Sequence, residues 1–143
     1  MEYPRVDSED LTAYYDPDKL ITHVTYRGPM TADLTIRVYR WIAELAKIIS
    51  PQDVHGGIFD FRDVTNFESY SLSTVMNESR KLNMKMDFSH VPVALIVSSG
   101  LQEQMVRVVM KVTPQDHRKA IVHSEEEAWT FIEEWNKKYA TAD

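Results

Sequence analysis

A run of seven apolar residues at 91–97 constrains the fold more than any other segment of the chain. It reads Val-Pro-Val-Ala-Leu-Ile-Val, and its proline stands near the start, where a missing N–H is tolerated. Apolar residues without polar alternation are typical of a strand in the interior of a sheet. The short apolar run at 54–61 has the same character. The sequence therefore predicts a sheet whose inner strands are buried on both faces.

Strand and helix patterns alternate around these two runs. Residues 11–16 and 20–27 predict an initial hairpin that Gly28-Pro29 closes, and 118–123 predicts a last strand. Helical spacing is found at 31–49, 72–86, 101–112 and 124–139, the first capped by Thr31 and the last by a Ser124–Glu127 capping box. The order ββαβαβαβα predicts an α/β fold with a single mixed sheet, parallel at its centre and antiparallel at one edge. We expect one domain over 10–140 and a loosely ordered segment over 1–9.

Composition excludes several classes of function. The 143 residues include no cysteine, so no disulfide, thiolate nucleophile or cysteine-ligated metal site is available. The four glycines are too few and too scattered to form a nucleotide-binding glycine loop. The formal charge of −6 disfavours nucleic acid as a partner. An acidic N-terminus and the lack of a long apolar run predict a cytoplasmic protein that does not span a membrane.

The polar segment 60–71 directly follows one of the buried strands, a position where open α/β sheets place ligands. We expect a loop from residue 62 onward. Asp60, Asp63 and Glu68 offer oxygen ligands for magnesium, which would make the protein an enzyme. The alternative is that these carboxylates cap loop amides and the next helix, and we prefer it because their spacing matches no specific metal loop. We therefore expect no metal here.

The remaining polar groups match no catalytic pattern. None of the five histidines stands in an H-x-x-x-H or H-E-x-x-H arrangement, and no G-x-S-x-G elbow presents a serine. A local basic cluster around the third helix could receive a phosphate or an acidic partner, but a solvated helix face is the more ordinary interpretation. Its members are Arg107, Lys111, Arg118 and Lys119.

A family resemblance begins at residues 60–72. The segment Asp-Phe-Arg-Asp-Val-Thr-Asn-Phe-Glu-Ser-Tyr-Ser-Leu resembles, without gaps, the D-L-S-x-V-x-F-I-D-S-S-G-L segment of STAS domains of the anti-sigma-factor antagonist type. The related SpoIIAA-like family is more similar. It shares the Gly28–Thr31 entry to a helix, the apolar strand 91–97, and a last helix that contains Glu126-Glu127-Ala128. The similarity covers residues 20–135 or so.

The resemblance implies helices largely on one side of the sheet, no catalysis and no cofactor. STAS domains are interaction switches in which a kinase phosphorylates a serine of the D-S-S-G segment. By position, that segment is Glu68-Ser69-Tyr70-Ser71, so Ser69 is the phosphoacceptor candidate and, in the alternative, a helix N-cap. The implied function is a regulatory protein-binding module. Its candidate contact residues are Asp63, Thr65, Asn66, Glu68, Ser69 and Ser71.

A second hypothesis is carriage of a small apolar ligand or lipid. The SpoIIAA-like group is structurally similar to lipid-binding domains of the CRAL-TRIO type, and the helices at 72–86 and 101–112 are rich in methionine and valine. Val106 and Met110 widen the apolar arc of their helix, which indicates deep core, a homodimer seam or the wall of a ligand cleft. The cleft candidates are Met76, Met105, Val106 and Met110.

Overall fold

Strands in chain order form one mixed sheet. The computed structural model describes residues 2–67, 72–85, 87–112 and 116–140. Within them, six strands lie side by side: β1 (Val6–Asp7), β2 (Leu11–Asp16), β3 (Ile21–Pro29), β4 (Gly56–Asn66), β5 (Val93–Ile96) and β6 (Lys119–Val122). Pairing is antiparallel from β1 to β3 and parallel from β3 to β6. The predicted α/β class, with a hairpin at one edge of a mixed sheet, is confirmed.

Three of the four described helices cover one face of this sheet. They are α1 (Ala32–Leu45), α2 (Leu72–Lys85) and α3 (Gly100–Val112), and α4 (Glu125–Ala140) ends the chain. α1, α2 and α3 each connect adjacent parallel strands in the same direction along the sheet, so right-handed crossovers bring them to one face. α4 follows the last strand and packs on the opposite face. None of the helices in the described ranges combines the length and the apolar character that crossing a membrane requires.

Helix caps form where the sequence predicts them. The Thr31 hydroxyl accepts a 3.3 Å hydrogen bond from the Leu34 N–H at the start of α1. At α4 the Glu127 N–H donates to the Ser124 hydroxyl at 3.1 Å, and the Glu127 carboxylate accepts from the His123 N–H at 3.2 Å. Both arrangements satisfy backbone donors that have no partner within the helix. The predicted Ser124 cap is confirmed, and the Glu127 carboxylate closes the turn through the N–H of His123, one residue before the cap.

β4 extends further than the sequence predicts. The expected loop from residue 62 is wrong as far as Asn66, because β3 continues beside this segment and fixes its backbone. Asp63 pairs with Arg27, and the Asn66 carbonyl accepts a 2.8 Å hydrogen bond from the Met30 N–H. Gly28 has a φ of 77°, next to a shift in this pairing register. Parallel pairing thus outweighs the polar composition of residues 62–66.

The N-terminal segment is held by contacts that are distant in sequence. Val6 pairs with Ala13, which forms β1, and the Trp41 indole N–H donates a 2.7 Å hydrogen bond to the Pro4 carbonyl. The Tyr3 and Tyr15 rings lie 5.1 Å apart in an edge-to-face arrangement. Residues 3–7 are therefore attached to the sheet and to α1, which the local pattern does not predict.

The two faces of the sheet carry two separate apolar clusters. On the face of α1 and α3, the larger cluster includes Val24, Leu95 and Trp41. On the α4 face, the smaller cluster includes Ile96 and Ile132. Because side chains alternate along a strand, β3, β4 and β5 each contribute to both clusters. The sheet is therefore buried on both faces at its centre, as the apolar runs predict.

Candidate ligand-binding site

A cavity of about 150 Å³ lies between the sheet and helices α1, α2 and α3. Most of its lining is apolar or aromatic, with Tyr26, Phe59, Phe61 and Leu95 from the sheet, Ile42 and Leu45 from α1, Leu82 from α2, and Val106, Val109 and Met110 from α3. Phe67 and Phe88, in the connecting segments, also contribute. An apolar cavity of about this volume stays dry and binds molecules as small as benzene. The cavity thus suits an apolar ligand.

A second stripe along α1 forms one wall of this cavity. Its members follow one another at steps of three and four residues, with Thr35, Tyr39 and Ile42 in α1 and Ala46 and Ile49 just after its end. The first stripe, which includes Leu34, Val38 and Trp41, is buried in the core. Sequence patterns of this width identify an apolar face but do not separate core from cavity wall. The second stripe is the signal from which Tyr39 could have been selected as a site residue.

Arg118 is a charged side chain in the wall of the apolar cavity. Its Nη1 donates a 3.0 Å hydrogen bond to the Val91 carbonyl, and its Nε is buried with no hydrogen-bond partner among the described residues. No described carboxylate lies within ion-pair distance of it. Burial lowers the pKa of Arg118 to about 10, so the group remains a cation at neutral pH.

Tyr39 and Ser79 add hydroxyl groups to the same cavity. Burial raises the pKa of the Tyr39 hydroxyl, while its hydrogen bond with Ser79 and the nearby charge of Arg118 act in the opposite direction. The phenol is therefore neutral at physiological pH. Tyr39, Ser79 and Arg118 all line the cavity, so its largely apolar wall includes a cation next to two hydroxyls. The other polar residues of the lining are Lys119, Thr22, Thr35 and Tyr26.

In each of two predicted sets, the apolar cleft candidates and the basic cluster, some residues line the cavity and others do not. Val106 and Met110 line the cavity, whereas Met76 and Met105 are not among its lining residues. In the basic cluster, Arg107 is exposed on α3 and lies 3.5 Å from Glu103, while Arg118 and Lys119 lie in the cavity wall. These cations therefore do not form one continuous surface patch.

The predicted partner-binding residues lie at the carboxyl end of β4 where they are described. Asp63 and Thr65 are exposed and Asn66 is half-buried. Glu68, Ser69 and Ser71 lie outside the described residues, so the phosphoacceptor assignment of Ser69 stays a prediction.

Two of the three candidate magnesium ligands, Asp60 and Asp63, lie within the described chain. Asp60 accepts hydrogen bonds from the Arg62 side chain at 3.0 and 2.8 Å, and this ion pair occupies both of its oxygens. Glu68 lies outside the described residues. Among the residues that are described, no group of three acidic or histidine side chains is placed to hold a metal ion. The magnesium hypothesis has no geometric support from this part of the chain.

Helix α3 is attached to the end of β4, and an exposed apolar residue stands next to the point of attachment in the sequence. Gln102 of α3 donates hydrogen bonds from Nε2 to the carbonyls of Arg62 and Val64 at 3.2 and 3.0 Å, which fixes α3 against β4. The preceding residue, Leu101, is 61% exposed. Leu101 on α3 and the side chains of Asp63 and Thr65 on β4 are thus exposed on two elements that Gln102 joins.

Comparisons with known proteins identify the fold. No family model and no curated protein matches the chain. Its structure is similar to that of an uncharacterized protein of the DUF3478 family from Shewanella loihica PV-4, described as having a SpoIIAA-like fold. The TM-score is 0.55 at 17% sequence identity, and the match covers 85% of this chain and 91% of the other. At this identity the likeness concerns the fold alone, and the protein has a SpoIIAA-like fold.

Proposed function

We propose that the protein is a non-enzymatic binding module that holds a small, largely apolar molecule between its sheet and helices α1 to α3. The observation that carries this proposal is the cavity of about 150 Å³ with its aromatic and aliphatic lining. Ligand pockets in proteins are typically concave and mostly apolar, with a few polar groups that orient the ligand. Tyr39, Ser79 and Arg118 supply such groups.

The proposal is tested by filling the cavity from α3. Val109 lines the cavity, whereas its neighbour Val108 is 41% exposed and does not line it. We expect Val109→Phe to weaken the binding of 1-octanol at least tenfold in isothermal titration calorimetry, because the phenyl ring occupies the ligand volume. Val108→Phe is the matched control and should bind as the wild type does. Failure of the wild type to bind, or equal binding by Val109→Phe, would contradict the proposal.

As a second function we propose docking of a protein partner at the carboxyl end of β4, in the manner of a cytoplasmic regulatory domain. Two features favour this surface: Leu101 is exposed on α3, which Gln102 attaches to β4, and Asp63 and Thr65 are exposed on β4. Apolar side chains surrounded by polar ones are typical of interaction sites.

A pull-down with matched variants tests the docking surface. A partner recovered with the wild type should be lost with Leu101→Asp and retained with Tyr139→Asp, which alters a 44% exposed residue on α4. Retention with Leu101→Asp would count against the surface. Peptide mass spectrometry of protein from its source cells then reports whether Ser69 carries phosphate, as the resemblance to STAS domains implies.

A further inference from the structure

Building on the proposed function, we propose that the ligand carries a single carboxylate that pairs with the guanidinium of Arg118. The ligand class is a small monocarboxylic acid with an aliphatic or aromatic body. The body occupies the apolar part of the cavity, while the carboxylate lies at the side formed by Arg118, Tyr39 and Ser79.

The hydrogen bonding of Arg118 leaves one edge of its guanidinium for a ligand. Nη1 is used by the Val91 carbonyl, and the buried Nε has no partner among the described residues. Nε and Nη2 form the edge that pairs with both oxygens of a carboxylate in a bidentate arrangement. A buried N–H without a partner and a cation without a counter-ion are both unfavourable. A bound carboxylate would satisfy both after a small rotation of the guanidinium.

The neighbouring hydroxyls suit the same ligand. Tyr39 lies close enough to Arg118 for the two groups to perturb each other electrostatically, and it shares a hydrogen bond with Ser79. A neutral phenol donates well to a carboxylate oxygen. Tyr39 would therefore orient the ligand without adding charge to the cavity.

Charge and size favour a monocarboxylate over a phosphate monoester. The Arg118 guanidinium neutralises one negative charge, and the other cation of the lining, Lys119, already has an interaction of its own. A phosphate monoester carries about 1.5 to 2 negative charges at neutral pH. The surplus charge would be costly in an apolar cavity. A volume of about 150 Å³ fits a short or medium chain or a single aromatic ring.

The test compares three probes with the same eight-carbon body at pH 7: octanoate, 1-octanol and octyl phosphate. Isothermal titration calorimetry on the wild type should give octanoate about a tenfold or greater advantage over 1-octanol, since a charge-assisted pair is added. Arg118→Met should remove this advantage and leave 1-octanol binding within about twofold. Arg107→Met, which alters an exposed arginine of α3, is the control and should preserve the advantage.

The possible results distinguish failure of the proposed function from failure of the carboxylate assignment alone. If neither octanoate nor 1-octanol binds, the proposed function fails and the carboxylate assignment fails with it. If 1-octanol binds as tightly as octanoate to the wild type, only the carboxylate assignment is overturned, and this comparison does not depend on any variant folding. Tighter binding of octyl phosphate would overturn the choice of a carboxylate. A full octanoate advantage in folded Arg118→Met would overturn the role of Arg118.

Discussion

At the scale of single residues, Gly57 in β4 leaves no room for a side chain. A Cβ built there would lie 2.8 Å from the Thr22 hydroxyl oxygen on β3, which is too close for any ordinary contact. Thr22 is β-branched, pairs with Gly57 in the parallel register and also lines the cavity. The glycine therefore allows β3 and β4 to pair while Thr22 keeps its place in the cavity wall.

We expect Gly57→Ala to lower the free energy of unfolding by about 1–3 kcal/mol, the usual cost of overpacking a core. Urea denaturation followed by circular dichroism measures the change. Gly100→Ala is the control, because a Cβ at the start of α3 has no atom within 4 Å, and it should cause no loss.

The double variant Thr22→Ala/Gly57→Ala identifies the cause of that loss. Removing the threonine hydroxyl relieves the close contact, so the double variant should recover part of what Gly57→Ala loses relative to Thr22→Ala. Strict additivity of the two substitutions would show that the Thr22 contact is not responsible.

At the scale of elements, α1 is fastened to the β1–β2 turn by a small polar network. The Arg37 Nη1 of α1 lies 3.2 Å from the Asp10 carboxylate, and the Ser8 hydroxyl donates to the same carboxylate at 2.7 Å. The Ser8 hydrogen bond, and after it Arg37, lower the pKa of Asp10 below its ordinary 3.8, against the effect of partial burial. The network thus stabilises the folded state when Asp10 is ionised.

The sign of this shift predicts a pH dependence. A carboxyl whose pKa is lower in the folded than in the unfolded state contributes its full stability above its unfolded pKa, and loses it as pH falls through the folded one. Asp10→Asn should therefore be less stable than the wild type at pH 7, by under about 1 kcal/mol for a pair this exposed. The difference should vanish toward pH 2.

Urea denaturation from pH 2 to 7 measures this difference. Asp18→Asn, at an exposed position in the β2–β3 turn, is the control variant. A wild-type advantage over Asp10→Asn that stays constant across the whole pH range would contradict the assignment to ionised Asp10.

The element boundaries show which structural features the local sequence pattern can predict. Thr31 and the Ser124–Glu127 pair determine helix starts through contacts within three residues, so the sequence predicts them correctly. The end of β4 depends on β3, more than thirty residues earlier, because the pairing of Pro29 with Asn66 keeps a polar segment in the sheet. Local polarity alone suggests a loop there.

At the scale of the whole molecule, the two apolar clusters share one sheet and should unfold together. Val24 and Ile21 on β3 belong to opposite clusters, as do Leu95 and Ile96 on β5. Both helix layers pack against the same strands. Loss of either layer would expose one face of those strands and weaken the support of the other layer. We therefore expect one cooperative transition.

Tryptophans on the two faces make this expectation measurable. Trp41 belongs to the larger cluster, and Trp129 packs against the smaller one. In Trp129→Phe/Trp135→Phe, the fluorescence of Trp41 should follow the same urea midpoint as far-UV circular dichroism. In Trp41→Phe/Trp135→Phe, the fluorescence of Trp129 should do likewise. Separate midpoints for the two signals within either variant would show that the faces unfold independently.

The sequence by itself determined the order of strands and helices from β2 onward, the buried centre of the sheet and the caps of α1 and α4. These features follow from residue type and spacing within a few positions, which local physics controls. The resemblance to SpoIIAA-like proteins added that helices lie largely on one side of the sheet, and the structure confirms this for α1, α2 and α3, with α4 on the other side.

Only the tertiary structure decided which apolar stripe of α1 enters the core and which lines a cavity, and that Arg118 belongs to the cavity wall and not to a surface patch. Tyr39, Ser79 and Arg118 come from three separate segments of the chain. Their proximity depends on how α1, α2 and the segment before β6 pack over the sheet. The burial of these side chains and the unpaired Nε of Arg118 result from that packing. Neither can be identified from the local sequence.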